Sequence, residues 1–292
     1  MILVIVGPTG IGKTKLSLAL AKRFSGEIIN GDSMQVYRNL TIGTAKVTPD
    51  EMEGIPHHLL DIKDPDEMYT VKDFQTDCRN KIEEIKQRDH LPIVVGGTGL
   101  YLKAVFYDYE FLEEESLEDF SDCSTADLYQ QLLEKDPKTE IHPNNRKRMI
   151  RALQRRNDPT RKDVLLYPDV YFIGLTAPRE QIYERIDKRV LEMIDQGLIE
   201  EVQTLYDQHI NGKAIMTGIG YKELYSYFDG ILSLEEAITL IQKNSRHYAK
   251  RQFTWFRNQM EVEWFETDFD QFQNTVDAVA SYIERKEKKN GR

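Results

Sequence analysis

Ile2-Leu3-Val4-Ile5-Val6-Gly7-Pro8-Thr9-Gly10-Ile11-Gly12-Lys13-Thr14 joins an apolar, β-branched run to the spacing G-x-x-x-x-G-K-[ST], and a helical pattern starts at its end. The run reads as a buried strand, and the glycines let the following backbone curl until successive N–H groups point inward. The next helix adds the positive end of its dipole, Lys13 adds a point charge, and the Thr14 hydroxyl is placed to ligate Mg²⁺. Strand, loop and helix in this order predict that Gly7, Pro8, Thr9, Gly10, Ile11, Gly12, Lys13 and Thr14 bind adjacent phosphates. The motif leaves open whether a phosphate is transferred or departs.

Beyond this loop, further short apolar runs at 27–30, 92–95, 170–175 and 261–265 read as strands. Stretches with apolar residues three and four apart at 13–24, 71–88, 178–196, 234–260 and 269–286 read as helices. The alternation predicts an α/β fold, a P-loop NTPase-like doubly wound parallel sheet with a helical insertion or cap region, whose ligands sit at the carboxyl ends of the strands. Two stretches interrupt it. The first, 108–122, carries Asp108, Glu110, Glu113, Glu114, Glu115, Glu118, Asp119 and Asp122 without a Lys or Arg and reads as a solvated insertion. The second is a helical span from about 191 to 245, broken by glycines and free of strand pattern. The expected organisation is a core over 1–107, an acidic insertion over 108–140, core again over 141–190, a helical cap over 191–245, and a last helix-strand-helix over 246–292.

With 292 residues the chain is long enough for a large core without covalent staples. Cys78 and Cys123 lie far apart without metal-ligand spacing and read as reduced thiols. No apolar stretch approaches the length of a membrane span, so a cytoplasmic protein without membrane attachment is expected. The formal charge of -10 argues against a nucleic-acid partner only if the charges are mixed along the chain, and here they are segregated.

One basic block, Asn144 to Arg156, holds Arg146, Lys147, Arg148, Arg151, Arg155 and Arg156 and no acid. Arg148, Arg151 and Arg155 share one helical side, as a phosphate backbone requires. A second, Lys243 to Arg257, interleaves Lys243, Arg246, Lys250, Arg251 and Arg257 with His247, Tyr248, Phe253, Trp255 and Phe256. Phe253 and Phe256 are better read there as core. Asn30-Gly31-Asp32-Ser33-Met34-Gln35-Val36-Tyr37 ends the second strand, where Asp32 is either a general base or the cap of the next helix. At Gly96-Gly97-Thr98-Gly99 the third strand ends in glycines and a hydroxyl, where a nucleotide hydrolase would place a Mg²⁺-ordering Asp. Arg185 and Arg189, four apart behind the fourth strand, could reach over the loop or pair with neighbouring acids.

These residues together resemble the tRNA dimethylallyltransferases, also called tRNA isopentenyltransferases. The matching stretches are Gly7 to Thr14, Gly31 to Tyr37, Ile42-Gly43-Thr44-Ala45-Lys46 and Pro56-His57-His58-Leu59. Val95 to Tyr101, His142-Pro143-Asn144-Asn145, Gly218 to Glu223 and Lys250 to Arg257 continue the match along nearly the whole chain. The resemblance implies transfer of a dimethylallyl group from dimethylallyl diphosphate to N6 of adenosine 37, beside the anticodon of tRNA. It implies that Gly7 to Thr14 hold the diphosphate, Thr14 with Mg²⁺. Asp32 would take the amine proton, with Lys13, Thr98 and an arginine, Arg189 in preference to Arg185, completing the catalytic set. The anticodon stem-loop would be contacted by Asp32, Ser33, Met34, Gln35 and Thr98 and by Lys147, Arg148, Met149, Ile150 and Arg151. A monomer is expected. A small-molecule kinase and an isopentenyltransferase acting on free adenylate share the loop and the carboxylate, and they are separated by their acceptors.

Overall fold

The computed structural model describes residues 1–109, 111, 119–154 and 164–289. Glu110, Glu113 to Glu115 and Glu118 of the acidic run, and Arg155 and Arg156 of the basic block, lie outside them.

Strand β1 (Ile2–Val6) is wholly buried, because parallel strands covered by helices on both faces have no solvent side and need apolar residues at every position. It pairs in parallel with β4 (Leu91–Val95) on one side and with β5 (Val170–Thr176) on the other. β2 (Gly26–Asn30) lies beyond β4, β3 (His57–His58) beyond β2, and β6 (Glu263–Glu266) beyond β5. The order β3-β2-β4-β1-β5-β6 is that of an all-parallel, doubly wound sheet. The strand order reverses at β1, which places the crevice of the fold at the carboxyl end of this strand.

Helix α1 (Lys13–Phe24) starts at Gly12, which has φ 102°, and stops at Ser25 after Lys22 and Arg23 complement its negative end. Its buried face, with Leu16, Leu20 and Ala21, packs in one core with Leu3, Ile5, Ile93, Ile173 and the apolar face of α11 (Phe272–Lys289). Helix α2 (Val71–Gln87) opens on a Thr70/Asp73 capping box and is followed, after β4, by α3 (Gly99–Phe106). Helices α6 (Arg179–Asp195), α7 (Leu198–Asp207), α8 (Lys213–Thr217) and α9 (Tyr221–Phe228) follow β5. The long α10 (Leu234–Gln259) begins at a Ser233/Glu236 capping box and buries a stripe that includes Ala237, Ile241, Ala249, Gln252 and Phe256.

Two compact units divide the chain, one of residues 1–106 and 166–292, the other of 107–165. The second contains α4 (Thr125–Lys135) and α5 (Arg146–Gln154) around Phe120, Leu128, Leu132 and Met149. The sequence boundaries therefore need correction. Residues 141–154, expected to rejoin the main core, belong with the insertion, because Met149 is the residue through which α5 closes that small core. The expected limits at 190 and 245 fall inside the continuous helices α6 and α10. No helix follows β2 directly. Residues 31–70 form an irregular excursion whose only named element is β3, too short to leave a pattern in the sequence.

Candidate active site

A cleft of about 900 Å³ opens at the carboxyl ends of the strands. It is lined by the loop Thr9 to Thr14, by Asp32 to Gln35, by Gly96 and Gly97, and by residues of α6 and α10. Gly7, Gly10 and Gly12 have φ of 143°, 78° and 102°, the left-handed values that let the loop wrap inward. Lys13 Nζ donates to the Gly7 and Pro8 carbonyls at 3.0 and 2.9 Å. Burial pushes its pKa down to about 8, against the opposing pull of Asp32. Arg185 Nε donates to the Gly10 carbonyl at 3.2 Å while its guanidinium lies over the Phe269 ring, and Arg189 Nη1 lies 3.5 Å from the Thr9 hydroxyl. Both arginines thus reach the loop. Arg189 is the more buried of the two, and that burial lowers its proton affinity.

Asp32 stands two residues beyond Asn30, the last residue of β2. Its carboxylate accepts the Met34 N–H at 2.9 Å, a local turn in place of the helix cap that the sequence also allowed. Burial raises its pKa above the usual carboxylate value, partly opposed by the Met34 hydrogen bond and by Lys13. The side chain of Asn30 holds the Asp32 backbone from both sides, donating to its carbonyl and accepting its N–H at 3.0 Å each, and it anchors to the Leu59 carbonyl. The loops after β2 and β4 touch backbone to backbone, since a Cβ on Gly96 would come within 2.1 Å of the Gly31 carbonyl oxygen. Thr98 enters through this contact. Its Oγ1 accepts the Ser33 N–H at 3.1 Å and its hydroxyl donates to Ser33 Oγ at 3.3 Å.

Gln252 of α10 was given no role by the sequence, and Tyr248 only that of an aromatic within the second basic block. Gln252 is 5% exposed, and its Oε1 accepts the Thr9 N–H while its Nε2 donates to the Gly97 carbonyl, both at 3.1 Å. One amide therefore ties the phosphate loop to the loop that carries Thr98. A signal existed, a lone polar residue in the buried stripe Ala249, Gln252, Phe256. Tyr248, one turn earlier, has its phenol pushed up by burial beside Thr98 and Gln252. Phe256 is fully buried, as expected, and Phe253 packs from a half-buried position on the core that includes Ala249 and stacks on Trp264.

On α5, Lys147, Arg148 and Arg151 are exposed. One neighbour corrects the expected set of contacts. Met149 is fully buried against Leu128 and Leu132 and is no open contact surface, while Ile150 packs on the same core from a half-buried position. Arg146 donates to the carbonyls of Cys123, Phe120 and Ser121 at 2.5, 2.6 and 3.0 Å, which makes it the strut of its unit.

The family model described as IPP transferase matches residues 35–259. The chain belongs to the IPP transferase family. A tRNA dimethylallyltransferase of Anoxybacillus flavithermus is 52% identical over 301 residues, covering 98% of this chain and 96% of the relative. Among solved structures, the tRNA isopentenylpyrophosphate transferase of Staphylococcus epidermidis is similar at 40% identity and a TM-score of 0.77, over 98% of this chain and 99% of that one. A eukaryotic dimethylallyltransferase described as acting on tRNA matches at 32% identity and a TM-score of 0.84, covering 99% of this chain and 79% of its own. The IPP transferase match spans the cleft residues from Gln35 through Gln252, and the Anoxybacillus relative extends the similarity over 98% of the chain.

Proposed function

We propose that the protein is a tRNA dimethylallyltransferase that moves the dimethylallyl group of dimethylallyl diphosphate to N6 of adenosine 37 in tRNA. The observation that carries this reading is the meeting, in one cleft, of a phosphate loop and a buried carboxylate, with Gly96-Gly97-Thr98 where a nucleotide hydrolase needs an acid. In the reaction a bond forms between N6 and C1 of the prenyl group, the C1–O bond breaks, and the diphosphate leaves with the bonding pair. The N6 proton passes to Asp32. An exocyclic amine is a weak nucleophile because its lone pair is delocalised into the ring, so a carboxylate with a raised pKa is suited to accept that proton as attack proceeds.

The charge that develops on the diphosphate meets inward N–H groups, Lys13 and Arg189, with Arg185 beside it. Thr14 lines the cleft together with Thr9, Asp32 and Ser33, oxygen donors of the kind a hard cation takes, so Thr14 is the residue that would hold Mg²⁺ against the diphosphate. When bound, that ion supplies additional charge neutralisation of the leaving group. Lys147, Arg148 and Arg151 would grip the tRNA backbone, while Ser33, Met34, Gln35 and Thr98 would face the extruded base, which must leave its stack to react. We assign the working unit as a cytoplasmic monomer. The test is mass spectrometry of nucleosides from tRNA incubated with the protein, Mg²⁺ and dimethylallyl diphosphate. Isopentenyladenosine is expected. Unmodified tRNA, or phosphorylated product from ATP, overturns the reading.

A further inference from the structure

The helices after β5 send one carboxylate back to the excursion that follows β2. Glu201 of α7 accepts four hydrogen bonds. Oε2 takes the N–H groups of Thr41 and Ile42 at 3.0 and 2.7 Å, and Oε1 takes the Gly43 N–H at 3.1 Å and the Tyr221 hydroxyl at 2.7 Å. A carboxylate has about four such acceptor positions, and all four are used. The Tyr221 ring is fully buried and lies against Gly43, where an added Cβ would come within 2.7 Å of the ring. Nothing larger than glycine fits at residue 43, and the loop is seated on the tyrosine as well as tied to the glutamate.

The captured segment is itself a tight turn, with the Ala45 N–H on the Ile42 carbonyl, the Lys46 N–H on the Thr41 carbonyl and the Thr44 hydroxyl on the Leu40 carbonyl. Its far side faces the cleft, and there Gln35 Nε2 donates to the Thr44 and Ala45 carbonyls at 3.0 and 3.4 Å. Fixing the turn therefore fixes those two carbonyls, and they take up the donor nitrogen of Gln35. The atom of that amide left to meet a substrate is Oε1, an acceptor.

We propose that Glu201 is a positioning residue for base selection: by holding the 41–43 backbone it keeps the Gln35 amide turned so that Oε1 accepts from the amino group of the incoming base. This deepens the function proposed above and rests on it. An adenine amino group donates to both Asp32 and Gln35, whereas a keto oxygen in the same place faces two acceptors and is rejected. Glu201 lies behind the turn and acts through it.

The experiment compares steady-state kinetics of Glu201→Gln, Gln35→Ala and the double variant, varying tRNA and dimethylallyl diphosphate separately. Glutamine keeps the shape but turns an NH₂ toward backbone donors. Each single change is expected to lower kcat/KM for tRNA about tenfold, with KM for the prenyl donor within about twofold of wild type. The double variant is expected to lose no more than either single one. Losses that multiply, or an equal loss on the prenyl-donor side, overturn the proposal. Tyr221→Phe, which removes one donor and keeps the ring against Gly43, applies the same test if Glu201→Gln does not fold. A fall on the tRNA side that vanishes in the Gln35→Ala background supports the role, and one that persists there overturns it. Wild-type protein inert toward tRNA overturns the assigned function, whereas active wild type with multiplying losses overturns only the role of Glu201.

Discussion

The Ser33 amide donates to the Thr98 hydroxyl oxygen at 3.1 Å, across the seam between the loop that ends β2 and the loop that ends β4. The bond is local in space and spans 65 residues of chain. It fixes the distance between the carboxylate of Asp32 and the glycine-rich turn, and with Gln252 it makes the phosphate loop, Asp32 and Thr98 one connected frame.

Asp32→Asn keeps the turn to Met34 and removes the base. Turnover is expected to fall by about 10²- to 10⁴-fold with tRNA affinity retained. Single-turnover kinetics beside a filter-binding assay separate the two. Lost binding with intact chemistry would reassign Asp32 to the turn alone.

Lys13, with its pKa pushed down to about 8, is charged below that pH and neutral above it in the free enzyme. A bound polyanion favours the charged form, so affinity for dimethylallyl diphosphate is expected to fall as pH rises above about 8, with proton uptake on binding. Folding carries the opposite sign. The native state binds fewer protons than the unfolded chain between about 8 and 10.5, so the cost of burying this charge is complete below 8 and relieved through that window. Calorimetric titrations of wild type and Lys13→Arg in two buffers test the binding half. A pH slope shared by both proteins would show that Lys13 is not its source.

Gln252→Leu preserves volume and leaves the Thr9 N–H and the Gly97 carbonyl without the partner they share. Each buried orphan costs about 1–3 kcal/mol, so a lower melting temperature is expected together with at least a tenfold loss of kcat. Thermal melts and turnover on one preparation check this. Wild-type values in both would mean that the two loops hold their places without α10.

Neutralising Lys147, Arg148 and Arg151 together is expected to weaken tRNA binding and to flatten its dependence on salt, by about two to three in the slope of log affinity against log salt. Arg146→Ala is expected to behave differently, unfolding the 107–165 unit through the loss of three carbonyl contacts. An unchanged salt slope in the triple variant moves the tRNA-binding face elsewhere.

Glu27 is held at a pKa of about 2, chiefly by the Arg88 guanidinium at 3.0 and 2.7 Å and then by His58 and His90. A depressed carboxylate stabilises the fold above its unfolded value of 4.5, and that stability is lost as pH falls through about 2. Glu27→Gln is therefore expected to be less stable than wild type at neutral pH, with the gap closing in acid. Denaturant melts at a series of pH values measure the gap, and a constant difference would assign it to packing.

Most of the sheet was legible because a buried parallel strand must be apolar at every position, and Ile2 to Val6 satisfies that without ambiguity. His57–His58 was not, since β3 is a two-residue pairing with Ile28 and Ile29, too short to show an apolar run or an alternation. Asp32 and the phosphate loop were legible because their chemistry needs fixed residue types at fixed spacing. Gln252 and Glu201 escaped because each serves backbone groups more than 150 residues away, which no local spacing encodes. Met149 was misplaced for a related reason. In a run of basic residues, the one position turned inward is set by where α4 packs, and the charge pattern is silent on that.

β4 lies between β1 and β2 although it is made after both, and Gln252 is made 243 residues after Thr9 and 155 after Gly97. During synthesis on the ribosome the phosphate loop and Asp32 thus emerge long before anything can hold them in register. A chain that stops short of α10 would carry the phosphate loop, Asp32 and Thr98 and still lack the brace that aligns them, so enzymatic competence waits for α10.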